Sequence, residues 1–495
     1  MRPSSVLVIY SALVTSCGGD AAAPPAPSGP STFHLATKNL SDTIDARLPS
    51  AIQLTAADGQ GRPLSSAVVT LRVIPDRVYI EPGVLLGTTR DTVLTLSTPS
   101  TGVLGVDATL GIHPGAYLVV VSVAGIARQD TVAFNVLPGA PVSMRLTAHD
   151  TLVTVGVPYR PGFAISDRRG NARADVPTLT SSSDACHLVN EAVAADRVAR
   201  CVITAQLGTA VDSVSLVALP SGRATAVVSA LGGRWVATMN LDGSSVKLIR
   251  AIKGTTFDAV HPSLGPSGII AAMEVGADNK GHVMIIESNG DGHFVPVDLP
   301  VGAEPNWPII SRDGQWLYFS ACVPQNFEPC RVWRSRLDGS QASPLTTALQ
   351  VTGQRSNWPD VSSDGNTLIY SGDGERVHVL ELPTGRDVEL GFFSQVIGID
   401  PTGTRFVSTR YTGTILDALV VSNLDGTNAR DIAPGNGFYG TAQFLPGGEW
   451  IYSEQMIQDS PNTAHSGSRV LVNVNTGQMI VFSYKLPISE MYVAR

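Results

Sequence analysis

Apolar and polar residues alternate along this chain in short runs, and Gly, Pro and Asp punctuate the runs. Such a pattern predicts strands and tight turns rather than helices, and no stretch carries the i, i+3, i+4 recurrence of an amphipathic helix. The pattern is clearest over residues 304–347. Ile309–Ile310 reads as a short strand, Asp313-Gly314 as a turn, and Trp316–Phe319 as a second strand. Val332–Arg336 follows as a third, Asp338-Gly339 as the next turn, and Ser343–Leu345 as a fourth. Glycine suits both turns because it accepts positive φ without a Cβ clash.

The same unit recurs. A Pro, an apolar residue two later and a Gly six later are found at Pro308/Ile310/Gly314, Pro359/Val361/Gly365 and Pro262/Leu264/Gly268. Ile397/Ile399/Gly403 and Ala442/Phe444/Gly448 keep the spacing without the Pro. The anchors are roughly 40–50 residues apart, the size of a four-stranded propeller blade. The second turn recurs as Asp242-Gly243, Asp291-Gly292, Asp338-Gly339 and Asp425-Gly426, with Thr384-Gly385 and Thr476-Gly477 as variants. These six turns predict six blades over 220–495. The first, from Ala224, begins at its second strand, and Ile488–Arg495 is left over at the end. The tail is therefore expected to supply the missing strand and close the ring, which would otherwise keep unpaired edges.

Pro308, Ser311, Asp313, Gly314, Phe319, Ser320, Asp338 and Gly339 spell a motif that resembles the TolB-type propeller repeat. Pro359, Ser362, Asp364, Gly365, Tyr370 and Ser371 carry it again. The resemblance covers residues 221–495. It implies a propeller that serves as a binding and interaction platform, although similar repeats also occur in peptidases and lyases. The separate N-terminal α/β domain of that family has no counterpart in this sequence.

Upstream, the chain is also β-rich. Residues 33–137 resemble bacterial Ig-like domains of the invasin and intimin type, through the turn DGQGRPL and the late strand GAYLVVVSV. Asp76–Leu96 departs from that pattern. Residues 138–219 read as a second Ig-like sandwich, with Met144–Leu146, Pro161–Ser166 and Ala210–Ala218 as its clearest strands; one larger irregular β-domain is the alternative. The expected fold is thus all-β: two Ig-like sandwiches, then a six-bladed propeller.

Composition agrees with a turn-rich β-protein: 48 Gly, 33 Pro and only 15% charged residues. The net charge of −8, with no cluster of Lys and Arg, argues against a nucleic-acid partner. Arg2 and the short apolar run Val6–Val14 form an export signal too short to remain as a spanning helix. Val14-Thr15-Ser16-Cys17 resembles a lipobox, which implies a lipid on the Cys17 thiol; the other reading is a simple secretory signal. No Asp follows Cys17, so the expected destination is the outer membrane, facing the periplasm or the cell surface. Residues 18–32 form a Pro/Gly/Ser-rich tether.

Four cysteines remain, in two local pairs, Cys186/Cys201 and Cys322/Cys330. In an exported chain they read as two disulfides; metal binding is the alternative, without CxxC spacing to support it. The sequence holds no G-x-S-x-G, no H-E-x-x-H and no P-loop. No catalytic residue, cofactor or metal site is expected. His261, His282, His293 and His378 are scattered through the propeller, as a channel metal site or as turn-adjacent residues. SNGDGH and SGDGER lack the carboxylate spacing of a calcium loop.

The candidate binding residues are Asn306-Trp307 and Asn357-Trp358, which precede the inner strand in neighbouring blades, with Glu304 and Arg355 nearby. Trp offers apolar area and one donor, suited to a peptide turn or a sugar ring at the channel rim. The other reading packs each Trp between blades. The expected partner is an envelope or surface protein, or a glycan.

The lipobox makes a direct prediction. Cys17→Ala should move the protein from the membrane and detergent phase into the aqueous phase. Equal partitioning of wild type and variant would remove the lipid anchor from consideration.

Overall fold

The computed structural model describes residues 29–74, 83–88, 90–252, 260–323, 330–346, 358–372, 376–393, 398–411, 416–434, 438–460, 463–465 and 468–494. Cys17, the signal and all but the end of the tether lie outside these residues, as do Arg355 and Asn357. Among the described residues the chain is all-β, its one helical turn being Pro266–Gly268. No described helix is long and apolar enough to cross a membrane. Contacts divide the chain into two units.

The first unit comprises residues up to Arg145, with Ala164–Val176 and Leu207–Ala210. It contains a β-sandwich. One sheet has the order Thr32–Leu35, Arg47–Ala57, Val103–Leu110, Val84–Leu86; the other runs Asn39–Thr43, Gln129–Leu137, Gly115–Val123, Val68–Ile74, Val93–Ser97. Alternation explains the pairing of faces. In Gly115–Val123, Tyr117, Val119, Val121 and Val123 all point into one core, where they meet Ile52, Leu54, Leu104 and Val106 of the opposite sheet. The DGQGRPL turn is fixed by Asp58, whose carboxylate accepts the N–H groups of Gln60 and Arg62, both at 2.9 Å. These bonds hold its pKa below the ordinary value, the Arg62 N–H contributing most.

Residues 138–219 contribute to both units. The short sheet Pro141–Leu146, Phe163–Asp167, Ala172–Arg173 falls mainly in the first; the sheet Asp150–Thr154, Ala210–Leu219, Ala199–Leu207, Thr178–Ser181 falls mainly in the second. Cys186, in the hairpin Cys186–Val189/Ala192–Ala195, is bonded to Cys201. Cys322 is bonded to Cys330; residues 324–329 between them lie outside the described residues.

The rest of the second unit is a six-bladed propeller, each blade built on a four-stranded antiparallel path. From the axis outward, blade 2 is Ser263–Leu264, Ile270–Val275, Gly281–Ile286, Gly292–Phe294, and blade 3 is Glu304–Ile310, Trp316–Cys322, Arg331–Arg336, Ser343–Pro344. Blade 4 runs from Asp360–Val361 to Arg386–Phe393, blade 5 from Gly398–Ile399 to Arg430–Pro434, and blade 6 from Phe438–Phe444 to Met479–Phe482. Blade 1 takes its inner strand, Ile488–Val493, from the far end of the sequence. That strand pairs with Arg223–Ala230, which leads outward to Gly233–Asn240 and Lys247–Ala251.

A blade is covered on both faces, so its central strands are apolar at successive positions. Ile270 and Ala272 pack toward blade 1, whereas Ala271 and Met273 pack toward blade 3. Leu368 and Tyr370 face blade 3 while Ile369 faces blade 5. The repeat's polar signature has a local cause. Ser311 donates to Asp313 at 2.5 Å and accepts the Trp316 N–H at 2.9 Å, and Asp313 accepts the Gln315 N–H at 3.0 Å. Ser362 and Asp364 repeat the arrangement with Thr367 and Asn366. The second turn needs glycine twice over. Gly339 has φ +83°, and a Cβ there would sit 2.5 Å from the Pro296 carbonyl oxygen of blade 2.

Removing Ile488–Arg495 should expose the edge of Arg223–Ala230 and strip Met491 and Val493 from the core shared by blades 1 and 6. Aggregation or a large fall in melting temperature is expected, well beyond the effect of trimming a frayed end. A truncated protein that melts like the full chain would refute the role of this strand.

Candidate functional site

Residues of the inner strands, and of the turns that lead into them, surround a cavity of about 80 Å³. Its aromatic wall comes from equivalent positions in three successive blades. His261, Trp307 and Trp358 each precede a proline: Pro262, Pro308 and Pro359. The rings form a row. His261 and Trp307 have centroids 3.2 Å apart, and Trp307 and Trp358 are 4.5 Å apart with planes inclined at 53°. Tyr492 of the closing strand borders His261 on the other side, its hydroxyl 2.7 Å from Nδ1.

The backbone aims these rings. His261 has φ +44° and Trp307 has φ +54°. Bulky residues rarely occupy this left-handed region, and a following proline restricts the preceding residue further. Each such residue typically stores about 1–3 kcal/mol, a strain found most often at functional sites. In blade 3 the distortion is a bulge in the pairing between Asn306 and Ile309, and blade 6 has a comparable shift between Tyr439 and Ala442. The Asn306 side chain accepts the Trp307 N–H at 3.0 Å and so supports the bulge.

Burial sets the electrostatics. His261 is 7% exposed, and desolvation holds its pKa down at about 3, so the ring is neutral at physiological pH. Its approach to Glu490, 3.8 Å, is therefore not an ion pair. Glu490 instead accepts the backbone N–H groups of Val260 and His261, at 3.2 and 3.0 Å, with Arg234 at 3.6 Å. Burial nevertheless raises its pKa, against the lowering effect of those donors. The Tyr492 phenol is likewise pushed up by burial. Both indole nitrogens, Trp307 Nε1 and Trp358 Nε1, are buried without a hydrogen-bond partner among the described residues.

Of the residues singled out in the sequence, Trp307 and Trp358 line the cavity together, and Trp358 also packs on the core shared by blades 5 and 6. Asn306 lies behind Trp307. Glu304 is drawn aside, accepting the Gly281 N–H of blade 2 at 3.3 Å. Asn357 and Arg355 lie outside the described residues. Sequence reasoning weighed His261 only as a channel metal ligand or a turn-adjacent residue, and did not single out Tyr492. The signal for His261 was its place before Pro262, in register with the two Trp-Pro pairs.

A second cavity, of about 230 Å³, continues along the inner strands, with Gln443 and Val493 lining both. Gln443 Oε1 accepts the Val493 N–H at 2.6 Å, tying blade 6 to the closing strand. Among the described residues no group of His, Cys, Asp and Glu side chains has the arrangement of a metal site.

No family model matches this chain, and no curated protein does. Solved structures that resemble it include TolB from Acinetobacter baumannii, at 15% identity and a TM-score of 0.44, over 55% of this chain and 66% of that one. A TolB structure from Agrobacterium tumefaciens matches at 14% identity and 0.40, over 53% and 88%. Hydrazine synthase of Kuenenia stuttgartiensis matches at 14% and 0.34, over 46% and 68%. The chain thus spans just under two thirds of the length of the Acinetobacter protein.

The raised pKa of Glu490 has a measurable sign. The folded protein holds this proton more tightly than the unfolded chain, so the stability it contributes is present below the ordinary value of 4.5 and is lost as pH rises through the folded value. Glu490→Gln keeps an acceptor for the two N–H groups but does not titrate. Its melting temperature relative to wild type should therefore improve as pH is raised from about 4.5 towards neutrality. A difference that stays constant with pH would show that burial does not burden this carboxylate.

Proposed function

We propose that this chain is an exported, lipid-anchored binding protein that holds a partner protein at the mouth of its propeller channel and carries out no chemistry on it. In this reading Cys17 attaches it to the outer membrane, residues 18–32 and the Ig-like modules act as spacers, and the partner is an envelope or surface protein.

The observation that carries the reading is the strained aromatic row that lines the cavity. Both indole N–H groups are buried away from the cavity, so the rings offer a partner apolar area rather than a donor. The size of the cavity discriminates between ligands. About 80 Å³ suits one projecting side chain or a chain turn, well below the ~300–1,000 Å³ of clefts that enclose whole small molecules. A general base works best with a pKa near the operating pH; His261, held at about 3, falls far from that. A glycan binder or lyase at the same mouth is the second reading, favoured by the Trp faces alone.

Envelope proteins captured by the immobilised wild-type protein should be lost with Trp307→Ala or Trp358→Ala. Titration of the identified partner should show about 1–3 kcal/mol lost for each. Both variants should still fold. If instead binding is normal and stability drops by roughly 3–5 kcal/mol, the two Trp are packing residues and the channel mouth is not the surface.

A further inference from the structure

The walls of the aromatic cavity carry no charge. Among the described residues that line it there is no Asp, Glu, Lys or Arg. Its two titratable rings are both uncharged at neutral pH, because burial disfavours the charged imidazole of His261 and raises the Tyr492 phenol. The neighbouring cavity of about 230 Å³ differs, since Arg312, Asp360 and Asp400 line it. Neutrality therefore belongs to the aromatic cavity and not to the inner strands as a whole.

Hydrogen-bonding capacity at the walls is mostly spent within the protein. Pro262, Pro308 and Pro359 have no N–H, so at three equivalent places the backbone offers an entering group no donor. The Ser263 hydroxyl accepts the Ile310 N–H at 3.3 Å, Gln443 accepts the Val493 N–H at 2.6 Å, and the Tyr492 hydroxyl lies 2.7 Å from His261 Nδ1. What remains for an occupant is mainly carbon surface, from the two indole rings, the prolines, Leu264 and Ile309. A carboxylate or ammonium placed there would give up its hydration without a counter-charge, and a sugar would leave hydroxyls unmatched. An aliphatic group loses nothing and gains by leaving water. Size narrows the choice further. About 80 Å³ is roughly half of the ~150 Å³ apolar cavity that takes up a benzene ring, so the space matches a branch of about three or four carbons rather than an aromatic ring.

We infer that the partner enters this cavity with a single aliphatic side chain the size of valine, leucine or isoleucine, carried by a peptide segment; the inference rests on the partner site proposed above. Affinity then comes from taking that side chain out of water, while the charges of the partner stay outside.

The test uses the full wild-type chain, with a display library of random linear peptides as the probe. Selected peptides should share one Val, Leu or Ile between variable flanks. In calorimetric titration of a synthetic copy, replacing that residue by Ala or Asp should weaken binding about ten- to a hundredfold, the worth of burying one such side chain. An approximately tenfold rise in salt should change the affinity little, because no charge pair is formed. A photoreactive leucine analogue at the anchor position should cross-link to Trp307, Trp358 or Ile309, a readout that needs no variant of the protein. The inference is overturned if the shared residue is aromatic or charged; cross-links within the cavity would then still support the partner site. It is also overturned if no peptide is selected or if the cross-links fall elsewhere. The partner site would in that case stand or fall by the Trp307 and Trp358 variants alone.

Discussion

The propeller depends on one non-local pairing. Ile488–Val493 lies against Arg223–Ala230 with Ala224 opposite Val493 and Ala226 opposite Met491. Without that pairing blade 1 has three strands and blade 6 has an open flank. With it, six cores of side chains close in a ring, the last combining Ala224, Ala226 and Val228 with Tyr452, Leu471 and Met491. Because every blade is then covered on both faces, its middle strands cannot tolerate the polar alternation of the N-terminal sandwich. Polar groups that do lie there include Ser320 and Ser371, buried at equivalent places in blades 3 and 4, and Ser408 and Ser453, buried one residue earlier in the matching strands of blades 5 and 6.

The repeat was readable in the sequence because its turns are local. Ser311-x-Asp313-Gly314 and Ser362-x-Asp364-Gly365 satisfy their own backbone within five residues, so each turn marks itself. The two Trp of the cavity were readable for the same reason, each lying just before the anchoring proline of its repeat. His261 and Tyr492 were harder to see. Tyr492 reaches the cavity only through the closure, and His261 counts as part of an aromatic row only once three blades stand side by side. The division of residues 138–219 between the two units was not readable at all, since alternation reveals which face of a strand is apolar but not which neighbour covers it.

The aromatic cavity and the ring closure share their parts. Tyr492 touches His261, while Glu490, two residues earlier, holds the backbone of Val260 and His261. The strand that completes the fold therefore also shapes the cavity wall. This coupling accounts for a buried carboxylate at a seam: it anchors the left-handed turn at His261, whose strain needs a rigid surround to persist.

The closing strand also has a kinetic meaning. Its partner lies more than half the chain away, and contacts of such separation form late and slowly because the loop between them must first be ordered. During synthesis, blades 2 to 6 and three strands of blade 1 are made before the segment that locks them emerges. Until then blade 1 presents a bare edge, open to pairing with another chain. Once closed, the same geometry works in reverse. A ring has no free end from which to fray, so unfolding must begin by breaking one of its inter-blade contacts. A protein built this way owes its persistence to a slow opening rate as much as to its equilibrium stability.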